Sequence, residues 1–310
     1  MRYRILTILM SVSFWVCGAA QAFAQSCTVS PESLNFGSIV TLSSGNTDIS
    51  GTITLSCPSL ALGSFAAVVS ADIGTGGSSG TVRQMANGSS RLNYQLYRDP
   101  ARTSVFSSNG SPLGGGPIER SGSSLLFGSS VDIPFYGRVF GNQSGVSSGS
   151  YASYVVIRVD YSNCGLLFCN DGTAFLILDV VAYVSKQCSV SASDINFGSR
   201  GALATNVNAN GRLDVLCTPG TDFAISLSNG QNGTSANDRK MRSPAGGTVD
   251  YNLYRTPDYT AVWGSSLSTD TLSGSGSGTT DAYTVFGRVP AQPTPAAGVY
   301  SDTIIVTLTY

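Results

Sequence analysis

The sequence of 310 residues contains no histidine, and this absence narrows the chemistry that the chain can perform. Hydrolases with a Ser-His-Asp triad or a Cys-His pair use histidine as the general base, so both arrangements are excluded. The 18 acidic residues are scattered along the chain, which disfavours the carboxylate pair of glycoside hydrolases. The cysteines also lack the C-x2-C spacing of zinc clusters. We therefore predict no enzyme, no cofactor and no metal site.

Charged residues are also scarce, because they make up 11% of the chain and the formal net charge is -1. A protein that binds nucleic acid needs clustered lysine and arginine to neutralise phosphates, and a membrane-surface protein needs a similar polybasic segment. The sequence contains neither. We expect no nucleic-acid partner.

A long apolar run occurs only near the N-terminus. Two arginines precede the apolar run Ile5–Val16, and Ala22-Phe23-Ala24 follows with the small-residue pattern of a cleavage site. This pattern predicts that residues 1–24 form a secretory signal peptide and that the mature chain begins at Gln25. A lipid-modified Cys17 is the alternative, but a bulky valine precedes it where such sites have a small residue.

Six cysteines remain in the predicted mature chain, and an even number in an exported protein indicates disulfide bonds. They are Cys27, Cys57, Cys164, Cys169, Cys188 and Cys217.

The mature chain contains the same unit twice. The segment Cys27–Ser38 returns as Cys188–Ser199, and both end in Asn-Phe-Gly-Ser. Further blocks recur in the same order, namely Tyr94–Pro100 with Tyr251–Pro257, Tyr136–Val139 with Phe286–Val289, and Gly149–Tyr151 with Gly298–Tyr300. Cys57 and Cys217 also correspond, so we expect Cys27 to pair with Cys57 and Cys188 with Cys217. We divide the mature chain into copy one, residues 25–187, and copy two, residues 188–310.

Both copies have the sequence pattern of β-strands. Apolar residues alternate with polar ones, and clusters of glycine, serine, asparagine and threonine separate the alternating segments. Several short strands per copy, with turns between them, predict two antiparallel β-sandwiches.

The two copies differ at their C-terminal ends. Copy two finishes with a strand pattern whose inward residues are Ile304, Val306, Leu308 and Tyr310. Copy one has the matching strand at Tyr154–Tyr161 and then continues into a further apolar strand. The inward residues of that further strand are Leu176, Leu178, Val180, Ala182 and Val184.

Copy two is therefore predicted to lack its final strand. A sandwich without an edge strand exposes apolar core and unpaired backbone groups unless another chain supplies the strand. We expect the residues of its last strand to form a strand-acceptor edge. The alternative is that an internal segment of copy two closes the sheet.

Both copies resemble the spore coat protein U domain, the unit of Csu-type fimbrial proteins in archaic chaperone-usher pili. The resemblance rests on the cysteine-led opening with Asn-Phe-Gly, the Tyr-x-Leu-Tyr block, the Phe/Tyr-Gly-Arg-Val block and the closing Gly-x-Tyr strand, and it covers nearly all of the mature chain. It implies an incomplete immunoglobulin-like fold, a periplasmic chaperone, an outer-membrane usher, and an adjacent pilin subunit that donates an N-terminal strand.

The predicted mature N-terminus departs from that family pattern. Shaft subunits carry a donor extension before the first cysteine, but here only Gln25 and Ser26 precede Cys27. Such a subunit would accept a strand without donating one, which indicates the fibre tip. The resemblance then implies a cell-surface tip adhesin that promotes attachment and biofilm formation on abiotic or host surfaces. The alternatives are a minor pilin, an adaptor or a coat protein without a ligand.

Three loops of copy one contain large apolar residues that are predicted to bind a surface. These residues are Leu60, Leu62, Leu125, Leu126, Phe127, Leu166, Leu167 and Phe168. Exposed apolar groups of this kind mark interaction sites. In the alternative interpretation the same side chains fold back onto the sandwich core. A sugar ligand stacked on Tyr97 or Tyr254 is a second mode of binding, although both copies have these tyrosines at equivalent positions, which favours core packing.

Overall fold

The computed structural model describes residues 26–30, 33–57, 63–124, 129–165 and 169–310. The predicted signal peptide, with Cys17, lies outside these ranges. The described residues form strands, turns and loops without a helix, so they include no helix that could cross a membrane. The prediction of an all-β fold is confirmed.

Copy one contains eleven strands in the described ranges. They are β1 (Thr28–Ser30), β2 (Leu34–Ile39), β3 (Thr47–Cys57), β4 (Gly63–Ala71), β5 (Ser78–Ser79), β6 (Val82–Asn87), β7 (Ser90–Tyr97), β8 (Ile118–Ser124), β9 (Ser129–Val139), β10 (Gly149–Cys164) and β11 (Cys169–Val184).

These strands form one sheet that curls into two layers. The first layer has the order β1-β3-β9-β7-β6, and the second contains β8, β4, β10, β11 and β2. The layers join where Ala152 of β10 pairs with Ala86 of β6. Buried and exposed side chains alternate along β10, as they do when one face of a strand packs on a core. The core of copy one therefore lies between the two layers.

The further strand that the sequence predicts for copy one is β11, which lies between β10 and β2. It pairs antiparallel with β10 along its whole length and parallel with β2. The parallel pair corrects the expectation of a purely antiparallel sandwich. Parallel neighbours require a long connection, and most of copy one separates β2 from β11 along the chain. All five predicted inward residues are buried, namely Leu176, Leu178, Val180, Ala182 and Val184.

Copy two contains eight strands. They are β12 (Cys188–Ala192), β13 (Val207–Cys217), β14 (Asp222–Leu227), β15 (Arg239–Arg242), β16 (Thr248–Tyr254), β17 (Leu272–Ser275), β18 (Thr280–Val289) and β19 (Val306–Thr309).

The two layers of copy two match those of copy one, but β2 and β11 of the second layer have no counterpart, and neither has the two-residue strand β5. The sheet β12-β13-β18-β16-β15 corresponds to β1-β3-β9-β7-β6, and the sheet β17-β14-β19 corresponds to β8-β4-β10. Within residues 188–310, no strand occupies the positions of β11 and β2. The segment 194–200 matches β2 in sequence but forms no strand.

Each copy encloses a separate apolar core. Phe106 in copy one and Trp263 in copy two occupy equivalent positions and are completely buried. The indole Nε1 of Trp263 donates a hydrogen bond to the carbonyl oxygen of Ile225 at 2.9 Å, which satisfies its one polar atom.

Three disulfide bonds are present. Cys27 is bonded to Cys57, and Cys188 to Cys217, so the bridges lie at the equivalent strand pairs β1–β3 of copy one and β12–β13 of copy two. The third bond joins Cys164 at the end of β10 to Cys169 at the start of β11.

Candidate functional site

Strand β19 has one open edge. On one side it pairs with β14, from Leu227 opposite Val306 to Ala224 opposite Thr309. Its counterpart β10 pairs with β4 on that side and with β11 on the other. Among the described residues of copy two, no strand pairs with the second side of β19. The backbone of β19 can therefore accept one more strand.

The hydrogen bonds of the final segment show which residues face the open edge. The backbone N–H of Ser228 donates to the carbonyl oxygen of Ile305 at 3.0 Å, so Ile305 faces β14. Backbone groups alternate between the two sides of an antiparallel strand. Ile304, Val306 and Leu308 therefore direct their N–H and C=O groups towards the open edge.

The side chains at this edge are less buried than those at the matching positions of copy one. The predicted acceptor residues are half-buried or exposed, namely Ile304, Val306, Leu308 and Tyr310. Their counterparts in β10 are buried, namely Val155, Ile157, Val159 and Tyr161. The largest difference is at the last position, where Tyr310 is 56% exposed and Tyr161 is 7% exposed. The strand β11, which copy two lacks, accounts for the difference.

The segment 194–201 forms the second wall of this opening. In copy one the matching residues Leu34 and Phe36 are buried beside β11, whereas Ile195 and Phe197 are half-buried. A cavity of about 790 Å³ lies between this segment and residues 294–300, which directly precede the acceptor edge. Its lining also includes apolar residues of the core, namely Leu203, Val207, Met241, Val249, Val289 and Tyr300. We call the space between residues 194–201 and 298–310 the acceptor groove.

A carboxylate lies on the inward-facing side of the acceptor edge. Asp302 occupies the position of Ser153, which is completely buried in copy one. In the described structure Asp302 accepts four hydrogen bonds, from Gln231 N, Asn232 Nδ2, Thr303 N and Tyr251 Oη. Burial and, after it, the hydrogen bond to Asp302 raise the pKa of Tyr251 far above its ordinary value. The Tyr251 hydroxyl therefore stays protonated and donates to the carboxylate.

A buried arginine stands beside this carboxylate network. Arg239 is 1% exposed, and its guanidinium donates to the carbonyl oxygens of Ser228 and Trp263, both at 2.7 Å. Copy one has the same arrangement, in which Arg83 donates to the carbonyl oxygen of Asp72 at 2.7 Å. Burial lowers the pKa of Arg83 to about 10. The shared arginine ties the end of one strand to the neighbouring layer in both copies.

Three loops of copy one leave the sandwich from one pole. The strand ends that flank them are ladder partners, in the pairs Cys57–Ser129, Gly63–Ser124, Ser64–Cys164 and Cys164–Cys169. Neighbouring strands lie about 5 Å apart. The strand ends that flank residues 58–62, 125–128 and 166–168 therefore lie close to one another.

The apolar residues predicted to bind a surface lie in these loops and outside the described residues. They are Leu60, Leu62, Leu125, Leu126, Phe127, Leu166, Leu167 and Phe168. The structure describes the strand ends beside them and the bridge from Cys164 to Cys169. A role of these side chains in binding stays a prediction.

The two tyrosines considered for sugar stacking both pack against other residues, and only Tyr97 is buried. Tyr97 is 7% exposed, which leaves no free ring face. Tyr254 is half-buried and meets the ring of Tyr259 edge-on, with 5.5 Å between the ring centroids. Their equivalent positions in the two copies reflect packing.

Sequence reasoning missed Asp302 and the second wall of the acceptor groove. The signals were present in the comparison of the two copies, because Asp302 aligns with Ser153 and the segment around Asn196 aligns with β2. The alternating pattern identifies inward-facing positions by their apolar residues. An inward-facing position that is occupied by aspartate or serine is therefore not detected.

The family model of the Spore Coat Protein U domain matches residues 14–158 and 174–307. Protein U of Myxococcus xanthus is 29% identical over 154 residues, which are 44% of this chain and 86% of that protein.

Two solved structures match this chain over 92% of its length. One is the CsuC-CsuE chaperone-tip adhesion subunit pre-assembly complex from archaic chaperone-usher Csu pili of Acinetobacter baumannii, with 21% identity, a TM-score of 0.54, and coverage of 92% of this chain and 100% of that chain. The other is the CupB6 tip adhesin from Pseudomonas aeruginosa, with 12% identity, a TM-score of 0.41, and coverage of 92% and 94%. The first similarity supports the fold. Because the family model matches both copies, this chain belongs to the Spore Coat Protein U domain family.

Proposed function

We propose that this protein is the tip adhesin subunit of a chaperone-usher pilus and that it mediates attachment and biofilm formation. Copy one binds the surface, and copy two holds the subunit on the shaft by accepting a strand from the adjacent pilin. The observation that carries the proposal is the difference between the copies. In copy one β11 fills the space between β10 and β2, whereas in copy two the acceptor groove is open.

The energetics favour an incoming strand. The acceptor groove presents the half-buried side chains of Ile304, Val306 and Leu308 together with the exposed ring of Tyr310. Burying an apolar side chain of this size contributes about 1.5 to 3 kcal/mol. A donor strand also supplies backbone partners along the open edge.

The proposal assigns a partner to each stage of assembly. A periplasmic chaperone covers the acceptor groove first, an outer-membrane usher exports the subunit, and the N-terminal strand of the next pilin then fills the groove. The solved complex of a chaperone with a tip adhesion subunit, which shares this fold, supports the first stage. The final location is the pilus tip at the cell surface.

The end of copy one at which the three apolar loops are attached supports its adhesive role. Three loops with large apolar residues leave from adjacent strand ends, and a disulfide bond fixes the base of one of them. A short cross-linked loop gains little stability from its bond, so presentation of the loop is a better reason for it. Large apolar residues in loops of this kind would bind an apolar surface or an apolar pocket of a host molecule.

Strand acceptance is tested by completing copy two with the strand of copy one. Residues 162–184 are repeated after Tyr310, which is the equivalent of Tyr161. We expect the unfolding temperature of copy two to rise by more than about 10 °C, because the extension buries several apolar side chains. Differential scanning calorimetry measures the change.

The control extension carries aspartate in place of the leucines that correspond to Leu176 and Leu178. It should leave the unfolding temperature unchanged. If the unmodified extension also fails to stabilise copy two, the groove is not a strand acceptor.

Adhesion is tested by replacing Leu166, Leu167 and Phe168 with serine. We expect cells or beads that carry the variant to lose most of their attachment to a hydrophobic surface, because the apolar contact area is removed. The matched control is Leu267→Ser, which changes a leucine of copy two that is 60% exposed. Unchanged attachment of the triple variant, together with a native unfolding temperature, would favour a purely structural subunit.

The mature N-terminus separates a tip subunit from an adaptor. Mass spectrometry of the assembled protein should give a chain that starts at Gln25 or Ser26. A longer N-terminus would supply a donor strand and place the subunit inside the fibre.

A further inference from the structure

The strand β11 shows which inward positions a donor strand occupies. In copy one Leu176 faces Ile157, Leu178 faces Val155, and Val180 faces Ser153. The corresponding edge residues of copy two are Val306, Ile304 and Asp302, in the same order. Two of the three positions keep their apolar character, and the third changes from a hydroxyl to a carboxylate.

The change matters because the position becomes buried when the groove is filled. Val180 and Ser153 are both completely buried in copy one. A donor strand in the same register would cover Asp302 in the same way. A buried carboxylate is stable only if hydrogen bonds or opposite charges compensate for the loss of water.

The hydrogen bonds of Asp302 are unevenly distributed over its two oxygens. In the described structure Oδ1 accepts from Gln231 N, Asn232 Nδ2 and Thr303 N, whereas Oδ2 accepts from Tyr251 Oη at 2.7 Å. Each carboxylate oxygen has two lone pairs, which three donors share at Oδ1 and one donor uses at Oδ2. Oδ2 is therefore the oxygen that can accept a further hydrogen bond.

We propose that the natural donor strand carries a hydrogen-bond-donating side chain, such as threonine, serine or asparagine, at the position that faces Asp302. The inference rests on the proposed strand acceptance and adds the identity of one donor position. The two inward-facing residues that precede this position are apolar and face Val306 and Ile304, as Leu176 and Leu178 face Ile157 and Val155 in copy one. The pilin that binds this subunit is thus distinguished from β11 by one polar residue in an otherwise apolar row.

Cross-strand geometry supports the contact. Residues directly opposite each other in an antiparallel pair have Cβ atoms about 5 Å apart, and both side chains here point inward. An apolar residue such as Val180 would cover the carboxylate and leave Tyr251 Oη as the one donor to Oδ2. A hydroxyl of the same shape would cover it and donate to it, so valine and threonine form a matched pair for a test.

The test uses the chain extended by residues 162–184 after Tyr310, in two forms. One form keeps the valine that corresponds to Val180, and the other has threonine there. Both forms are made with Asp302 and with Asp302→Ser, and the unfolding temperature of copy two is measured for all four. With Asp302 we expect the threonine form to unfold about 4 °C higher than the valine form, the shift expected from one hydrogen bond to a charged group. With Asp302→Ser we expect the advantage of threonine to disappear.

A matched control has threonine at the position that corresponds to Leu178, which faces Ile304. It should lower the unfolding temperature in both backgrounds, because that position is apolar. If the valine and threonine forms with Asp302 unfold at the same temperature, or the valine form unfolds higher, the inference is wrong while strand acceptance stands. If none of the extensions stabilises copy two, strand acceptance itself is wrong, and this inference falls with it. The comparison with Asp302 does not depend on the folding of the Asp302→Ser chain.

Discussion

Asp48 and Arg138 face each other across β3 and β9, and Arg138 Nε lies 2.7 Å from Asp48 Oδ1. The hydrogen bond from Arg138, with the charge of Arg102 nearby, lowers the pKa of Asp48 below its ordinary value. Copy two has asparagine at the equivalent position, where Arg288 donates to Asn208 Oδ1 at 3.0 Å. The same cross-strand pair is therefore an ion pair in copy one, whereas in copy two the arginine bonds to a neutral asparagine.

Asp48→Asn should make the stability of copy one less dependent on pH. The pKa of Asp48 is lower in the folded state than in the unfolded state, so the ion pair contributes its full stability above about pH 4 and loses it as the pH falls through the folded-state pKa. The pair is partly exposed, so we expect a loss of less than about 1 kcal/mol at pH 7. Urea unfolding at pH 7 and pH 2.5 measures the difference between variant and parent.

The difference should shrink towards pH 2.5. The reverse variant, Asn208→Asp, should gain stability at pH 7 and not at pH 2.5. A loss in Asp48→Asn that is the same at both pH values would show that the carboxylate acts through shape and not through charge.

At the scale of elements, β11 is shaped to fit the side chains that it covers. Gly172 faces Tyr161, and a Cβ atom at Gly172 would lie 2.5 Å from Tyr161 Oη. That hydroxyl also accepts a hydrogen bond from the backbone N–H of Cys27 at 3.2 Å. Gly172 therefore lets β11 approach the Tyr161 ring closely. The hydroxyl of that ring in turn holds the backbone at Cys27 by a hydrogen bond.

Gly172→Ala should destabilise copy one, because the added methyl group displaces the Tyr161 ring and weakens its bond to Cys27 N–H. Overpacking of this kind costs about 1 to 3 kcal/mol. Gly145→Ala is the matched control, since a Cβ at Gly145 would meet no heavy atom within 4 Å. Chemical denaturation compares the two variants, and equal effects would contradict the packing argument.

Most of the strands could be predicted from the sequence, but few of the pairings between strands could. Alternating apolar residues indicated β11 and its five inward positions, because burial of one face leaves a period of two in the sequence. The parallel pairing of β11 with β2 could not be predicted, since periodicity does not encode which strand lies alongside. Asp302 could not be predicted for a related reason. Its hydrogen-bond donors Tyr251, Gln231 and Asn232 come from distant parts of the chain, and only the fold brings them together.

At the scale of the whole molecule, the two cores are separate and differ in completeness. The core of copy one has a covering strand on its second layer, and the core of copy two is open along the acceptor groove. A core with less buried apolar area has less stability to set against the conformational entropy of the chain. Copy two should therefore be the less stable half until a strand is supplied.

Calorimetry of the mature protein alone should show two unfolding transitions, with copy two unfolding first. Removing the bond of Cys188 and Cys217 with alanine at both positions should lower the first transition, and removing that of Cys27 and Cys57 should lower the second. The loops closed by these bonds are nearly equal, with sequence separations of 29 and 30, so each loss should be about 3 kcal/mol. A single transition that both variants shift equally would show that the halves unfold together.

Because β11 belongs to the same chain as β10, copy one completes its sandwich in a step that involves one molecule, whereas copy two needs a second molecule. Only four residues separate β11 from β10, so the closure of copy one is a first-order step with a high effective concentration of the strand. Filling the acceptor groove is second-order, and its rate depends on the concentration of the partner. We expect the half-life for closure of copy one to be independent of dilution. The half-life for filling the acceptor groove of copy two should lengthen as the partner is diluted. Copy one, whose strand is tethered, therefore closes before copy two.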